Sequence, residues 1–169
     1  SKPVSESRLA ETLLSVLAGL PAPEGVPASV PSPVQAPARA RVLVAEDNAV
    51  NQLVTEAMLT RLGYQVDVVA NGREAVRALE EGDYAAVLMD CRMPDMDGYE
   101  AAEEIRRREG EDRHVPIVAL TASAIRGDEE RCLAAGMDAY VTKPVTMDAL
   151  AGVLRSLVEA GVAGQALRR

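Results

Sequence analysis

From Arg41 onward the chain alternates short apolar runs with longer segments whose apolar residues recur at helical spacing. The runs predict five strands, at Val42–Ala45, Gln65–Val69, Ala85–Met89, Ile117–Leu120 and Ala139–Val141. The first, third and fourth are almost unbroken, the pattern of strands covered on both faces. Helices are predicted at 49–62, 73–81, 97–108, 125–134 and 147–159. In the first of them Val50, Leu53, Val54, Ala57 and Met58 fall on one face, and that face is expected to seek the core. Gly63, Gly82 and Gly136 stand where helices should stop. Five βα units in series predict an α/β fold with a parallel sheet and right-handed crossovers. Ligands of such sheets bind beyond the carboxyl ends of the strands.

The first forty residues read differently. Ser5 to Leu17 carries Leu9, Leu13, Val16 and Leu17 at amphipathic helical spacing. Residues 21–40 hold six of the ten prolines, which rules out a helix or a central strand there. This stretch reads as a semi-rigid linker reaching about 60 Å at most, at roughly 3.1 Å per residue. Residues 2–19 align without gaps to residues 143–160, sharing an initial Lys-Pro-Val and several Leu, Ala and Ser positions. The expected organisation is therefore the last helix of a preceding copy at 1–20, a linker at 21–40, a domain at 41–160 and a tail at 161–169. The chain does not begin with Met, and a piece of a longer protein is expected.

Composition narrows the function classes. Of 169 residues 48% are hydrophobic, but there is no Trp or Phe, so aliphatic side chains must build the core. A net charge of −8 and the lack of a basic stripe argue against nucleic acid. No apolar run reaches the roughly 18 residues of a membrane span, and no signal peptide is visible, so no membrane contact is expected of this fragment. Two cysteines, Cys91 and Cys132, make no disulfide framework; they suit reduced thiols in a cytoplasmic protein, with Cys91 a buried filler.

The chemistry lies at the predicted strand ends. Strand one ends in Glu46-Asp47, strand three in Asp90 and strand four in Thr121, and strand five is followed by Lys143-Pro144. All meet at one sheet edge. Three carboxylates and one ammonium are costly to crowd together unless something neutralises them. Mg2+, which favours a few carboxylate oxygens, waters and a phosphate, does this well. A carboxylate beside Mg2+ and a lysine can attack a phosphoryl group to give an aspartyl phosphate. Mg2+, the Lys143 ammonium, the Thr121 hydroxyl and a backbone N–H would neutralise the equatorial oxygens.

Residues 41–160 resemble the response regulator receiver domain along their whole length. The resemblance rests on Glu46-Asp47-Asn48, on Leu88-Met89-Asp90-Cys91-Arg92-Met93-Pro94 followed by Asp97-Gly98, on Ala119-Leu120-Thr121-Ala122 and on Lys143-Pro144, in that order and spacing. The wording EDNAVNQ, NGREAV and GMDAYVTKPV is most similar to the C-terminal receivers of hybrid sensor histidine kinases. It implies a flavodoxin-like (βα)5 doubly wound sheet of strand order 2-1-3-4-5. It implies Asp90 as phosphoacceptor; Asp47, Asp90 and the Arg92 carbonyl as Mg2+ ligands, with Glu46 acting through water; and Lys143, Thr121 and the Ala122 N–H on the phosphoryl oxygens. Thr121 and Tyr140 would be the switch pair, Tyr140 moving inward when the hydroxyl engages phosphate. Arg92 and Ser123 would tune phosphoryl lifetime, and the Lys143–Pro144 bond would be cis. Glu46 stands where many members have Asp, and it reaches one methylene further.

The implied partners are a histidine kinase or histidine phosphotransfer protein and other domains of the same chain. Such a domain catalyses its own phosphoryl transfer and hydrolysis without being a separate enzyme. A module that binds partners without phosphorylation is the alternative. A haloacid-type phosphatase would need a second Asp where Arg92 stands, and a flavin phosphate would be repelled by Glu46-Asp47. Among bland readings, Asp47 could serve a helix dipole and Thr121 could cap helix four, while Asp97 is expected to cap helix three. His114, the only histidine, reads as exposed and without function, and Glu103–Arg113 as a solvated face with i,i+4 ion pairs.

Overall fold

The computed structural model describes residues 40–123 and 125–166, with side chains as far as residue 160. The helix expected at 1–20, its repeat relation to the last helix, and nearly all of the linker lie outside the described residues. The elements run β1 (Arg41–Ala45), α1 (Ala49–Arg61), β2 (Gln65–Val69), α2 (Gly72–Glu81), β3 (Ala86–Asp90), α3 (Gly98–Arg108), β4 (Ile117–Thr121), α4 (Arg126–Ala134), β5 (Ala139–Thr142) and α5 (Met147–Ala166). Every strand pair is parallel and the order is β2-β1-β3-β4-β5, the flavodoxin-like arrangement expected. No helix among the described residues is long and apolar enough to cross a membrane.

Strand alternation divides the core into two layers. Leu43, Ala45, Val87, Met89, Ile117 and Ala119 face α2, α3 and α4, and meet Val76, Leu79, Ile105 and Cys132. Val42, Val44, Ala86, Leu88, Val118 and Leu120 face α1 and α5, and meet Leu59, Leu150 and Leu154. β3 and β4 are buried along their whole length, as their unbroken apolar runs predict. Each extends one residue beyond its predicted end, so Asp90 and Thr121 are strand residues with strand-fixed backbones.

Three expectations need correction. α5 continues to Ala166 instead of stopping at 159, so much of the segment read as a tail is helical. No proline intervenes, and an isolated glycine costs a helix only about 1 kcal/mol. Gly63 and Gly136 do take left-handed φ angles of 93° and 92°, but Gly82 is extended at −146° and ends its helix without that geometry.

The third correction concerns α1. Most of its predicted apolar face points to solvent: Val50 is 66%, Leu53 67% and Val54 46% exposed, and of that face Met58 packs on the core, while Thr55 and Leu59 are buried. The sheet-facing stripe runs through Asn51, Gln52, Thr55, Leu59 and Leu62, which is polar in its first half.

The charge run also departs from a simple solvated face. Arg107 and Arg108 do pair with Glu104 on the surface. Arg106 instead turns inward. It donates to the Gly136 carbonyl (2.7 Å), the Val115 carbonyl (3.0 Å), Glu109 (2.6 Å) and Asp138 (2.7 Å). Asp138 in turn accepts from the Ile117 N–H and lies 2.6 Å from His114, which is half-exposed at the sheet edge opposite Asp90. The Gly136 position suits this doubly, since a Cβ there would lie 2.7 Å from the Arg106 stem.

The two faces of α1 give a direct stability contrast. Leu59→Ala is expected to cost about 2–5 kcal/mol in urea denaturation, and Leu53→Ala less than about 0.5 kcal/mol.

Candidate functional site

The carboxyl edge of the sheet gathers the acidic residues as the sequence predicts. Glu46 directly follows β1, Asp47 opens the loop to α1 and Asp90 ends β3. One carboxylate oxygen from each lies within 4.8 Å of the others. Glu46 is 1% and Asp90 5% exposed, whereas Asp47 is open to solvent. Thr121 ends β4, and Lys143 follows β5 through a cis bond to Pro144.

The Lys143 ammonium sits between the two buried carboxylates, 3.0 Å from Glu46 Oε2 and 3.0 Å from Asp90 Oδ2. Asp90 Oδ1 accepts from the Arg92 backbone N–H at 3.0 Å. Burial acts hardest on Asp90 and holds its carboxyl above the usual range, against the pull of the Arg92 N–H and Lys143. Burial also works on Glu46, but there Lys143, the Asn48 N–H and the Asn51 amide together bring the carboxyl below its ordinary value. Desolvation would lower the Lys143 ammonium, yet its bonds to Asp90 and Glu46 more than offset this and hold it above its usual pKa. The trio is therefore one coupled unit that carries a net charge of −1, with Asp90 as its least comfortable anion.

A cavity of about 670 Å³ opens over this unit, lined by Asp47, Asp90, Arg92, Thr121, Ala122 and Lys143. Its far wall is Tyr99 of α3 and Arg131 of α4, whose guanidinium stacks 4.1 Å from the Tyr99 ring. The Thr121 hydroxyl donates to the Ser123 carbonyl at 3.0 Å and caps no helix; α4 has no side-chain cap. Tyr140 is half-buried against the α2–α4 core layer and is not among the lining residues. Cys91 and Cys132 are free, buried thiols, and burial pushes Cys91 up to about 12, so an inert filler fits.

Local rules place these groups. Asp97 caps α3 in a reciprocal box with Glu100, as expected. α1 is capped by Asn48, whose side chain accepts from the Val50 and Asn51 N–H groups, so Asp47 is not the cap. Asp95 takes a left-handed φ of 67°, which Asp tolerates better than most residues.

Three site residues were given no role from the sequence. Asn51 Nδ2 donates to Glu46 Oε1 at 3.3 Å, and Gln52 Nε2 to the Glu46 carbonyl at 2.6 Å. Helical side chains lean toward the helix N-terminus, so the third and fourth helical residues after a cap can reach back to the strand end. The third is Gly98, the first residue of α3. Its N–H donates to the Cys91 carbonyl at 3.2 Å, and a Cβ there would fall 2.2 Å from the Asp90 carbonyl oxygen.

The family model of the response regulator receiver domain matches residues 42–155. A sensor protein of Pseudomonas syringae pv. syringae, GacS, is 38% identical over 156 residues, covering 91% of this chain and 17% of that protein. Histidine kinase 1 of Arabidopsis thaliana is 38% identical over 153 residues, covering 70% of this chain and 13% of its own length. The chain thus spans under a fifth of these relatives. Among solved structures, the receiver domain of a sensor histidine kinase from Pseudomonas aeruginosa, with a magnesium ion coordinated in its active-site cleft, is 51% identical at a TM-score of 0.67, covering 72% of this chain and 99% of that one. The receiver domain of a Saccharomyces cerevisiae response regulator, co-crystallised with a histidine phosphotransfer signalling protein, is 34% identical at a TM-score of 0.63, covering 69% and 86%.

The contact at Gly98 is the tightest near the acidic edge. Gly98→Ala is expected to displace the β3 end and lower stability by about 1–3 kcal/mol in urea denaturation.

Proposed function

The chain belongs to the response regulator receiver domain family, and on that footing we propose that it accepts a phosphoryl group from a phosphohistidine onto Asp90, with Mg2+, as a relay station of a hybrid sensor histidine kinase. The observation that carries this reading is the single acidic unit at the carboxyl edge. Oxygens of three carboxylates lie within 4.8 Å, two of these groups, Glu46 and Asp90, being bridged by Lys143 beneath a cavity open to solvent.

The residues present fit a hard divalent cation: oxygen donors only, two of them buried, with room for retained water. Asp47, Asp90 and the Arg92 carbonyl would hold Mg2+, with Glu46 acting through water. Bound there, Mg2+ would supply charge neutralisation for the phosphoryl oxygens. Asp90 would attack phosphorus in line. The new bond joins its Oδ to phosphorus as the histidine N–P bond breaks, and the electron pair leaves on the imidazole. The Lys143 ammonium would exchange its bond to Asp90 for one to a phosphoryl oxygen. The Thr121 hydroxyl, now on the Ser123 carbonyl, would turn to the phosphoryl group with the Ala122 N–H, and Tyr140 would follow it inward. Arg92 and Ser123 line the cavity before Asp90 and would set how long the acyl phosphate lasts.

A protein donor must also dock. The exposed apolar residues Val50, Leu53 and Val54 begin four residues after Glu46, in the first turns of α1. Such an exposed apolar face, on a chain of net charge −8, suits a histidine-bearing partner. In this reading the domain works in the cytoplasm, beside other domains of a longer protein, and residues 1–20 end a preceding receiver.

Two experiments test the reading. Beryllofluoride with Mg2+ should shift the amide signals around Thr121 in the wild type and leave Asp90→Asn unchanged; an unresponsive wild type would favour the phosphorylation-independent interaction module instead. Leu53→Asp should slow transfer from a phosphohistidine protein by about tenfold while a small-molecule phosphodonor works as before, since truncating a central interface residue costs more than about 1 kcal/mol.

A further inference from the structure

Glu46 is held on several sides by its own chain. Oε1 accepts from the Asn48 N–H at 3.1 Å and from Asn51 Nδ2 at 3.3 Å. Oε2 accepts from Lys143 at 3.0 Å, and the backbone carbonyl accepts from Gln52 Nε2 at 2.6 Å. With 1% of the residue exposed, water cannot replace any of these donors readily. The last torsion of a glutamate is broad, and the side chain has one more rotatable bond than aspartate. A glutamate at this point therefore needs an external hold if one particular oxygen is to face Asp90. The Asn48 N–H and the Asn51 amide provide it together, and Asn51 is the only side chain of the two. By tying Oε1 toward α1 they leave Oε2 on the side of Lys143 and Asp90.

The position of Asn51 has a second consequence. It stands on the sheet-facing stripe of α1, where an apolar residue would normally be packed, and it spends that place on a hydrogen bond to a carboxylate. Groups that hydrogen-bond a metal-directed carboxylate orient it and tune its basicity.

We propose that Asn51 is a positioning residue for the divalent metal of the acidic edge, acting through Glu46 and touching no metal itself. The inference rests on the Mg2+ reading above, and the experiment separates the two. Mg2+ is titrated calorimetrically into the whole chain, as wild type, Asn51→Ala, Asn51→Leu, Glu46→Ala and the double variant Glu46→Ala/Asn51→Ala. Alanine is the best helix former, so Asn51→Ala is expected to stay folded, and thermal melting checks this. Asn51→Leu keeps the branched heavy-atom skeleton and removes the donor. Both Asn51 variants should bind Mg2+ about tenfold more weakly than the wild type. In the Glu46→Ala background, Asn51→Ala should have no further effect, because the group it positions is gone. A folded Asn51 variant with wild-type Mg2+ affinity would overturn the inference and leave the metal reading standing. So would an equal loss with and without the Glu46 carboxylate, which a merely structural role would produce. A wild type that takes up no Mg2+ would overturn the metal reading and this inference with it.

Discussion

One ammonium between two buried carboxylates sets the terms for the rest of the site. Lys143 lies 3.0 Å from both Glu46 and Asp90, and these two are almost sealed from water. Each ion buried without a partner costs several kcal/mol, so the lysine must reach both. That requirement fixes where β1, β3 and β5 must end relative to one another, and the parallel register supplies it. The arrangement is uneven: Glu46 is pulled below its usual pKa and Asp90 is held above. The carboxylate that is less stable as an anion is the one with the open cavity before it. A cation that covers that anion relieves a cost already present in the folded state.

α1 shows how one helix can be shaped by a site at its foot. Its inner stripe begins with Asn51, Gln52 and Thr55 where a simple amphipathic helix would carry leucines. The first two serve Glu46, and apolar packing resumes at Met58 and Leu59. The apolar residues that remain, Val50, Leu53 and Val54, point outward beside the same site. Grip on the acidic edge and an apolar outer surface thus alternate within two turns. On the opposite edge of the sheet Arg106 performs a purely structural version of the same task, joining α3, the approach to β4 and the turn before β5.

Much was legible in the sequence because the relevant signals are local. Unbroken apolar runs showed β1, β3 and β4 buried on both faces, and polar residues directly after them placed the acidic edge. The spacing of Glu46-Asp47, Asp90, Thr121 and Lys143 was enough to identify the family and to expect a parallel sheet of order 2-1-3-4-5. The Asp97 cap was readable from Glu100 three residues on. Other features depend on distance in space. Nothing local distinguishes Arg106, which is inserted, from Arg107, which is solvated. Nothing local says that Gly98 must lack a Cβ because the Asp90 carbonyl lies where that atom would be.

The sequence by itself therefore determined the parallel α/β class, the identity of the charged set and the edge on which it meets, because periodicity and strand-end position carry that information along the chain; the strand order followed from the resemblance to the receiver family. The tertiary structure alone decided which face of α1 is buried, which oxygen of Glu46 faces Lys143, and which of two buried carboxylates is the strained one. Those depend on what each side chain meets across the sheet, and burial against a distant neighbour leaves no periodic trace in the residues themselves.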